Sequence, residues 1–417
     1  MKKLTILLAA LLCASCLLTS CDGGETPEGT TSDVTQSPAD TAADTAADTA
    51  ADTVGDTAAD TAAEATTEAE TRPLSPEEQL AADREAYLST VTYRDFILTG
   101  EDQPFYVGRW FDKDIEGTTH KVTLTDGAHL YFLIENAASF DVTFTVITTG
   151  EEPYFAYSID GGEPVRQHIT EPTVTLPDTG RHTVRLIADA MTEGEGKWDK
   201  EKGFAIKSIT PAEGGSIVGI KPTEKVIFFY GDSITEGIRA LNMNATSDGN
   251  SATNAYSWQC AETLGVTPYL IGYGATGIIS VGSFHTMKNA IDYLSNGRPV
   301  EDGVIPDVIV VNHGTNDGGA NRLTFEESLI DTLTHLRGKY PDTPIVYLVP
   351  FNQAQARVIK NVVEAMDNAY LVETKSWRIS YTDGVHPDAE GAKYAGEKLA
   401  NELTNIFGED FFTGKGE

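Results

Sequence analysis

The pattern that most constrains the fold begins at Lys225, where short apolar segments alternate with longer helical windows. Such alternation is typical of parallel strands connected by helices, and it predicts a parallel sheet with helices on both faces. Ligands of these sheets bind beyond the carboxyl ends of the strands, so functional residues are expected there. The predicted strands are 226–230, 269–272, 308–312, 345–349 and 370–373, and the helical windows lie near 256–263, 286–296, 325–340, 353–366 and 388–406.

The preceding region, from Phe96 to about Ala212, has a different pattern and predicts an all-β domain. Apolar and β-branched residues alternate with polar ones, and turn residues such as Gly161 and Gly162 recur at a spacing of roughly 8–12 residues. This spacing is typical of a jelly roll or another β-sandwich. The strand candidates are 121–125, 129–135, 140–148, 154–160, 173–176 and 182–189.

The N-terminal residues are typical of an export signal. Lys2 and Lys3 precede an apolar run over 4–18, and Leu-Thr-Ser-Cys follows, ending at Cys21. This tetrapeptide resembles a bacterial lipobox, so residues 1–21 are predicted to be a lipoprotein signal peptide with Cys21 as the lipidated residue. The chain would then be an extracellular lipoprotein, anchored at a bacterial cell surface through its lipid. Ordinary signal cleavage without a lipid is the alternative.

Residues 22–74 are predicted to be a disordered acidic linker rich in Thr and Ala. The stretch 22–71 holds 13 acidic residues and no basic residue, and Asp-Thr recurs every four residues over 40–61. Like charges four residues apart repel each other along a helix, and no apolar stripe offsets that repulsion. Ser75 and Pro76 then predict the start of a short helix. The predicted organisation is therefore a helix and jelly-roll β-sandwich over 75–215, followed by an α/β domain over 222–410.

Composition and charge exclude several classes of protein. The formal net charge is −33 at pH 7, so nucleic acid is excluded as a partner because its phosphates would be repelled. The N-terminal run over 4–18 is the only long apolar segment of the sequence, which excludes a polytopic membrane protein. Three of the four cysteines lie within the first 21 residues, which excludes a disulfide framework and a cysteine-rich zinc site.

Two sequence blocks that follow predicted strands carry groups suited to attack on an acyl carbon. Ser233, in the sequence Gly-Asp-Ser, comes directly after the strand 226–230. A serine at such a strand-to-helix turn presents its hydroxyl at the end of the strand, where backbone N–H groups can bind a developing oxyanion. Gly277 follows the next strand, and a glycine there lets the backbone approach a ligand and donate its N–H. The alternatives are an ordinary helix cap for Ser233 and a turn residue for Gly277.

Two further blocks add a base and another donor. Asn316, in Gly-Thr-Asn-Asp after the third predicted strand, has a carboxamide that can donate to an oxyanion, although an Asx turn is the alternative. His386 precedes the last helical window and suits a general base at neutral pH. Asp383, three residues earlier, can bind the other imidazole nitrogen and fix the tautomer. His313 and His285 lie near these blocks in sequence and are second-rank candidates.

These four blocks, in this order, resemble the SGNH (GDSL) hydrolase superfamily. The resemblance rests on Ser233, Gly277, Asn316 and the pair Asp383 and His386. It implies a flavodoxin-like three-layer α/β/α domain over 222–410, with Ser233, His386 and Asp383 as the catalytic residues. It also implies an oxyanion hole from Ser233, Gly277 and Asn316. No metal or cofactor is expected, because no cluster with metal-ligand spacing appears in the sequence.

The β-region before this domain makes the chain similar to carbohydrate esterase family 2, whose members remove acetyl groups from plant polysaccharides. The supporting stretches are 107–111, 158–161 and 180–186. The resemblance implies an acetylated polysaccharide or oligosaccharide substrate, of the acetylxylan or acetylated glucomannan type. Some members of that family orient the base histidine with a backbone carbonyl, whereas Asp383 in this sequence predicts a full Ser-His-Asp triad.

Three aromatic residues are candidates for stacking on a sugar ring. Tyr256 and Trp258 follow a polar loop, and Trp377 comes shortly before Asp383. Each of them is equally suited to packing in the core or on the surface.

Two other functions remain open at this point. The same machinery would serve an esterase of other specificity, such as a lipase or a deacetylase of cell-wall glycans. A surface lipoprotein that binds glycans without catalysis is the second alternative, and the intact blocks argue against it.

Overall fold

A computed structural model describes residues 72–194, 196–301 and 303–414 of the chain. The predicted signal peptide with Cys21 lies outside the described residues, as does the predicted linker up to Thr71. The first described element is the helix α1 (Pro76–Leu88), and the predicted cap is confirmed. The Ser75 hydroxyl accepts from the Glu78 N–H at 3.2 Å, and the Glu78 carboxylate accepts from the Ser75 N–H at 2.7 Å.

A β-sandwich follows α1 and confirms the predicted all-β region. One sheet has the order β1-β12-β5-β10-β7-β8, with β2 also paired to β5, and the other has the order β3-β4-β11-β6-β9. Apolar side chains such as Phe132, Phe155 and Phe204 fill the space between the two sheets. The elements are β1 (Phe96–Leu98), β2 (Phe105–Val107), β3 (Trp110–Ile115), β4 (Thr118–Thr123), β5 (His129–Glu135), β6 (Ser139–Phe144), β7 (Tyr154–Ile159), β8 (Val165–His168), β9 (Thr173–Thr175), β10 (Arg181–Ala190), α2 (Lys197–Lys200), β11 (Phe204–Pro211) and β12 (Ser216–Pro222).

A parallel sheet with helices on both faces forms the second half, as predicted. Its strand order is β14-β13-β17-β18-β19, which places the first strand of the domain inside the sheet. The elements are β13 (Val226–Gly231), α3 (Ser233–Glu236), α4 (Tyr256–Leu264), β14 (Thr267–Gly272), α5 (Met287–Asp292), β15 (Tyr293–Ser295), β16 (Arg298–Pro299), β17 (Val308–Asn312), α6 (Arg322–Lys339), β18 (Ile345–Leu348), α7 (Ala356–Glu364), β19 (Ala369–Val372), α8 (Ala389–Phe407) and α9 (Glu409–Thr413).

The alternation of side chains along β13 explains why two helical layers are needed. Ile227 and Phe229 lie in the core shared with α4 and α8, whereas Phe228 and Tyr230 lie in the core shared with α6 and α7. All four side chains are buried, as expected for a strand covered on both faces. The predicted three-layer α/β/α fold is therefore confirmed.

The window 286–296 was predicted as one helix, and this is wrong in its second half. The helix α5 ends at Asp292, and Tyr293–Ser295 pairs with Arg298–Pro299 as a short antiparallel hairpin. Asn296 and Gly297 form the turn, and Gly297 has a φ of 80°. Because Asn-Gly is a strong hairpin turn, it stops the helix despite the apolar residues around it.

The sandwich packs beside β14, the strand at one edge of the parallel sheet. Gly127 lies so close to Leu270 of β14 that a Cβ at Gly127 would be 2.6 Å from the Leu270 Cδ2 atom. The ring of His129 meets the ring of Trp258 at 5.4 Å, and Arg185 pairs with Glu262 at 2.6 Å. These contacts place the sandwich against the edge strand and helix α4. Among the described residues, no helix combines the length and apolarity that a membrane crossing requires.

Two helical glycines, one buried and one exposed, provide a test of how closely α8 packs against α4. Gly396 in α8 is buried against α4, and a Cβ there would lie 2.6 Å from the Gln259 Cβ and 2.8 Å from the Cys260 nitrogen. Gly396→Ala is expected to lower the free energy of unfolding by about 1–3 kcal/mol through overpacking. The exposed Gly338 in α6 has open space around it, so Gly338→Ala is expected to raise the free energy of unfolding by about 0.5 kcal/mol.

Urea unfolding of both variants measures this difference. Equal stabilisation by the two alanines would contradict the close approach of α8 to α4.

Candidate active site

The site begins where β13 turns directly into α3. Asp232 caps α3 by accepting from the Ile234 N–H at 3.0 Å, which leaves Ser233 as the first helical residue. Gly231 precedes them, and a Cβ at that position would overlap the Thr235 hydroxyl. The glycine is therefore required for α3 to fold back onto the end of its own strand.

The structure brings Ser233, His386 and Asp383 together in one hydrogen-bonded series. The His386 Nε2 lies 2.9 Å from the Ser233 Oγ, and the His386 Nδ1 lies 2.9 Å from the Asp383 Oδ2. Ser233 is 5% exposed and His386 is 8% exposed, so little water competes for these bonds. When Nδ1 donates to the carboxylate, Nε2 is left free to accept the serine proton.

Asp383 is kept as a carboxylate by the donors around it. Burial alone would raise its pKa, but the N–H groups of His386 and Val385, the His386 ring and the Arg239 guanidinium together hold the pKa of Asp383 well below its usual range. The two backbone donors lie 2.8 and 3.0 Å from the Oδ1 atom. Asp383 can therefore balance an imidazolium at any pH near neutrality.

Arg239 was not identified from the sequence, and it connects the triad to the β-sandwich. Its N–H donates to the Asn250 Oδ1 at 2.9 Å, and the Asn250 amide donates to the Met191 carbonyl at 2.7 Å. The Thr382 hydroxyl donates to the Arg239 carbonyl at 2.8 Å, which fixes the segment just before Asp383. Arg239 is separated from Asp383 by 144 residues, so no local motif indicates this contact.

Asn316 lies beside the serine block, as predicted. Its amide nitrogen is 3.1 Å from the Thr276 carbonyl and 3.3 Å from the Asp232 Oδ2. The Ser233 N–H, in the first turn of α3, has no acceptor within the part of the chain that the structure describes. The Ser233 N–H is therefore available to a ligand, whereas the Asn316 amide would have to exchange one of its two acceptors before it could donate to one.

The Gly277 N–H is not free in this structure, because it donates to the Ser280 carbonyl at 2.9 Å. The role that the structure gives to Gly277 is steric: a Cβ there would lie 2.5 Å from both carboxylate oxygens of Asp317. An oxyanion would have to replace the Ser280 carbonyl before Gly277 could donate to it.

Asp317, the last residue of Gly-Thr-Asn-Asp, organises this loop and was missed as a functional residue. Its buried carboxylate accepts from the N–H groups of Ile278, Ile279 and Ser280 at 2.8, 3.1 and 2.8 Å. The Ser280 hydroxyl also donates to the Asn316 carbonyl at 2.8 Å. These bonds tie the loop after β14 to the loop after β17. The signal was present in the sequence, since an acid follows Asn316 directly.

Asp232 has a carboxyl group whose charge depends on pH near neutrality. Its burial raises its pKa to about 7, and the charge of Asp317 acts in the same direction, while the Ile234 N–H and the Thr315 side chain oppose the rise.

The prediction that Tyr256 and Trp258 stack on a sugar is wrong, because both side chains are buried in the core. Tyr256 and Trp258 are each 1% exposed and cannot present a ring face to a sugar. The Tyr256 hydroxyl bonds the Thr235 hydroxyl at 2.9 Å, and the Trp258 ring packs against His129 and Arg185. Periodicity alone could not separate these buried positions of α4 from exposed ones. Trp377 is partly buried and packs 6.1 Å from the Phe351 ring.

The second-rank histidines make no contact with the triad. His313 is buried, and burial lowers its pKa to about 4 although the Asp317 charge opposes the shift. His285 is exposed, and its Nδ1 lies 3.0 Å from the Asn289 Oδ1. Among the residues that the structure describes, no group of His, Cys, Asp and Glu is arranged to hold a metal ion.

Comparisons with known proteins agree with this architecture. Residues 229–394 match the model of the GDSL-like Lipase/Acylhydrolase family. A family two carbohydrate esterase from Clostridium thermocellum, solved with cellohexaose, is 20% identical, with a TM-score of 0.60 over 74% of this chain and 100% of that chain. A family two carbohydrate esterase from Cellvibrio japonicus is 17% identical, with a TM-score of 0.59 over 76% of this chain and 98% of that chain.

An acetyl xylan esterase from the rumen bacterium Butyrivibrio proteoclasticus is 16% identical, with a TM-score of 0.56 over 76% of this chain and 99% of that chain. A comparison with curated proteins gives no match. The solved structures share the fold of this chain, which confirms the predicted two-part architecture. The family match over 229–394 confirms the resemblance of this part to GDSL hydrolases.

The buried Asp232 carboxyl predicts a specific pH dependence of stability. The pKa of Asp232 is 3.8 in the unfolded chain and about 7 in the folded chain. Between these two pH values, the folded chain holds a proton that the unfolded chain releases. The stability from this proton is fully present below pH 3.8 and is lost as the pH rises through about 7. Asp232→Asn removes the titrating group, so the variant is expected to lose less stability than the wild type between about pH 5 and about pH 8.

Urea unfolding at the two pH values measures this difference, with the exposed Asp102→Asn as the matched control. The same pH dependence in the wild type and in Asp232→Asn would contradict the raised pKa.

Proposed function

Because residues 229–394 match the GDSL-like lipase/acylhydrolase model, we propose that this chain is a serine esterase that removes O-acetyl groups from polysaccharides. The observation that carries the proposal is the series Ser233, His386 and Asp383, with contacts of 2.9 Å on each side of the imidazole. A serine hydroxyl is a weak nucleophile until a base removes its proton, and this series supplies the base and the group that orients it.

The reaction proceeds through an acyl-enzyme. The Ser233 oxygen attacks the acetyl carbonyl carbon while the His386 Nε2 takes the serine proton. The tetrahedral intermediate then breaks its bond to the sugar oxygen, which leaves with the proton from His386 as a free hydroxyl. In the second half His386 takes a proton from water, the water oxygen attacks the acetyl-serine ester, and acetate leaves as the proton returns to Ser233.

The oxyanion of each intermediate is stabilised by donors at the end of β13. We assign this role to the Ser233 N–H and the Asn316 amide, and the longer of the two Asn316 contacts, at 3.3 Å to Asp232, is the more easily exchanged. Gly277 joins them only when its N–H leaves the Ser280 carbonyl.

The polysaccharide part of the proposal is supported by the solved structures with the same fold. One of them is a family two carbohydrate esterase in complex with cellohexaose, and another is an acetyl xylan esterase. We therefore propose acetylated xylan or acetylated glucomannan as the substrate class.

We further propose that the chain is a lipoprotein of a bacterial cell surface. The support is the positive start, the apolar run and the lipobox-like sequence that ends at Cys21. The stretch 22–71 carries 13 acidic residues and no basic residue, a composition suited to a tether between a lipid and the enzyme.

Replacement of Cys21 tests the anchor. After expression of the full chain in a bacterium that processes lipoproteins, the wild type is expected in the membrane fraction. Cys21→Ser is expected to lose the lipid and leave that fraction. Cys260→Ser, a change at the buried cysteine of α4, is the control and should remain with the membrane. A wild-type chain that does not partition with membranes would contradict the anchor and leave the esterase proposal untouched.

Loss of the nucleophile tests the chemistry. Ser233→Ala is expected to lower the rate of acetate release from acetylated xylan and acetylated glucomannan by several orders of magnitude, because the acyl-enzyme can no longer form. The exposed Ser208→Ala is the control and should retain full activity. Acetate is measured enzymatically, and circular dichroism confirms that each variant is folded.

Equal release by the wild type and Ser233→Ala would show that Ser233 is not the nucleophile. Cleavage of a small acetyl ester without release from either polymer would retain the esterase and reject the proposed polysaccharides. A preference for acyl chains of eight carbons or more would favour a lipase.

A further inference from the structure

Glu193, a residue of the sandwich half of the chain, lies against the loop that follows β14. It comes three residues after the end of β10, and a Cβ built on Gly274 would lie 2.7 Å from the Glu193 Cγ and 2.9 Å from its Oε1. Its backbone is held from the other side, because the Glu193 N–H donates to the Ala245 carbonyl at 2.9 Å. The side chain is therefore placed by two segments of the α/β domain, one of which leads to Gly277.

Contacts on both sides of Glu193 connect it to the triad. The Asn250 amide donates to the carbonyl of Met191, two residues before Glu193, and Asn250 accepts from the N–H of Arg239, which pairs with Asp383. On the other side, Glu193 lies against Gly274, two residues before Thr276, whose carbonyl accepts from the Asn316 amide. Burial and the charge of Glu236 raise the pKa of Glu193, while His386, Arg239 and Lys197 act in the opposite direction. The influence of His386 on this pKa agrees with that position.

Within the described ranges, no protein group donates a hydrogen bond to the Glu193 carboxylate or forms an ion pair with it. Both neighbouring cations are engaged elsewhere, since Arg239 pairs with Asp383 and Lys197 pairs with Glu236. Glu193 itself is only partly exposed. A partly exposed carboxylate that no protein donor occupies is open to donors from a ligand, and such groups are typical of binding sites.

The substrate of the proposed reaction has two parts, the acetyl ester and the sugar, and only one of them can supply hydrogen-bond donors to Glu193. An acetyl ester offers only acceptor oxygens, whereas the sugar ring offers hydroxyl donors next to the acetylated carbon. A carboxylate can accept two hydroxyl hydrogen bonds and has nothing to donate when ionised. Glu193 is therefore suited to a polyhydroxylated alcohol and unsuited to an acyl chain.

We propose that Glu193 is a substrate-recognition residue, whose carboxylate accepts hydrogen bonds from the sugar hydroxyls that flank the acetyl group. This inference rests on the proposed esterase function and names the part of the substrate that the sandwich recognises. It makes the sandwich a contributor to specificity as well as a support for the catalytic domain.

The experiment compares two substrates on the same purified, full-length variants. Acetylated xylo-oligosaccharides carry the flanking hydroxyls, and 4-nitrophenyl acetate has none. Glu193→Gln keeps the shape of the side chain and removes its charge, and Glu193→Ala removes the group. Glu163→Gln, at an exposed site in the turn between β7 and β8, is the matched control.

For both Glu193 variants, the ratio of kcat/KM for the oligosaccharide to kcat/KM for 4-nitrophenyl acetate is expected to fall by roughly 10- to 100-fold, mainly through KM. Glu163→Gln should leave this ratio unchanged. A structural role for Glu193 would lower both activities together, so the ratio separates recognition from support.

An unchanged ratio in Glu193→Ala, with an active wild type, would overturn the inference alone. A shift of the pH profile on both substrates at a constant ratio would also overturn it, because Glu193 would then act only on the charge of His386. A wild type that cleaves 4-nitrophenyl acetate but no sugar ester would overturn the proposed substrate class and this inference with it.

Discussion

The geometry of the site depends on the hydrogen bonds that one buried carboxylate, that of Asp189, accepts. It lies on β10 of the sandwich, and it accepts from the Thr253 N–H at 2.9 Å, the Thr253 hydroxyl at 2.7 Å and the Ser251 hydroxyl at 3.0 Å. The Arg166 Nε donates to it at 3.0 Å and balances its charge. A buried charge is stable only when it is paired and fully hydrogen-bonded, so these partners have little freedom to move. The loop between α3 and α4 is thereby fixed to the sandwich, and Asn250 in that loop positions Arg239, which in turn binds Asp383.

The segment after β10 extends the same support to the helix that carries the serine. Lys197 and Glu236 form an ion pair with no solvent exposure of either side chain, and Asp126 is buried nearby. Burial alone would lower the pKa of Lys197, but the charges of Glu236 and Asp126 raise it to about 12. Burial also raises the pKa of Asp126 well above its usual value, and the charge of Lys197 opposes this rise. Since Glu236 is the last residue of α3, the pair fixes the helix that begins at Ser233.

The sequence could predict those parts of the site that are local. Ser233 and Asn316 each lie a few residues after a predicted strand, and His386 lies two residues before the last helical window. Buried parallel strands have a clear pattern, so the fold was expected, and with it the proximity of these residues to one another. Arg239 and Glu193 act through contacts with residues far away in sequence, and no nearby spacing reveals them. Tyr256 and Trp258 show the reverse problem: their residue type suits a sugar site, but α4 buries them between the sheet, α8 and the sandwich.

The acids in two of the blocks raise a question of charge, because an oxyanion must form close to Asp232 and Asp317. Three backbone N–H groups from the loop after β14 stabilise Asp317, so its charge is compensated where it lies and the loop is held in place before the substrate arrives. For Asp232, burial outweighs the donors and raises the pKa to about 7, so much of its population near neutrality is uncharged. A protonated Asp232 repels the oxyanion less than a carboxylate would, and it leaves the Asn316 amide freer to turn toward the substrate. Full burial of the acid beside the serine therefore favours the negative charge that the reaction has to create.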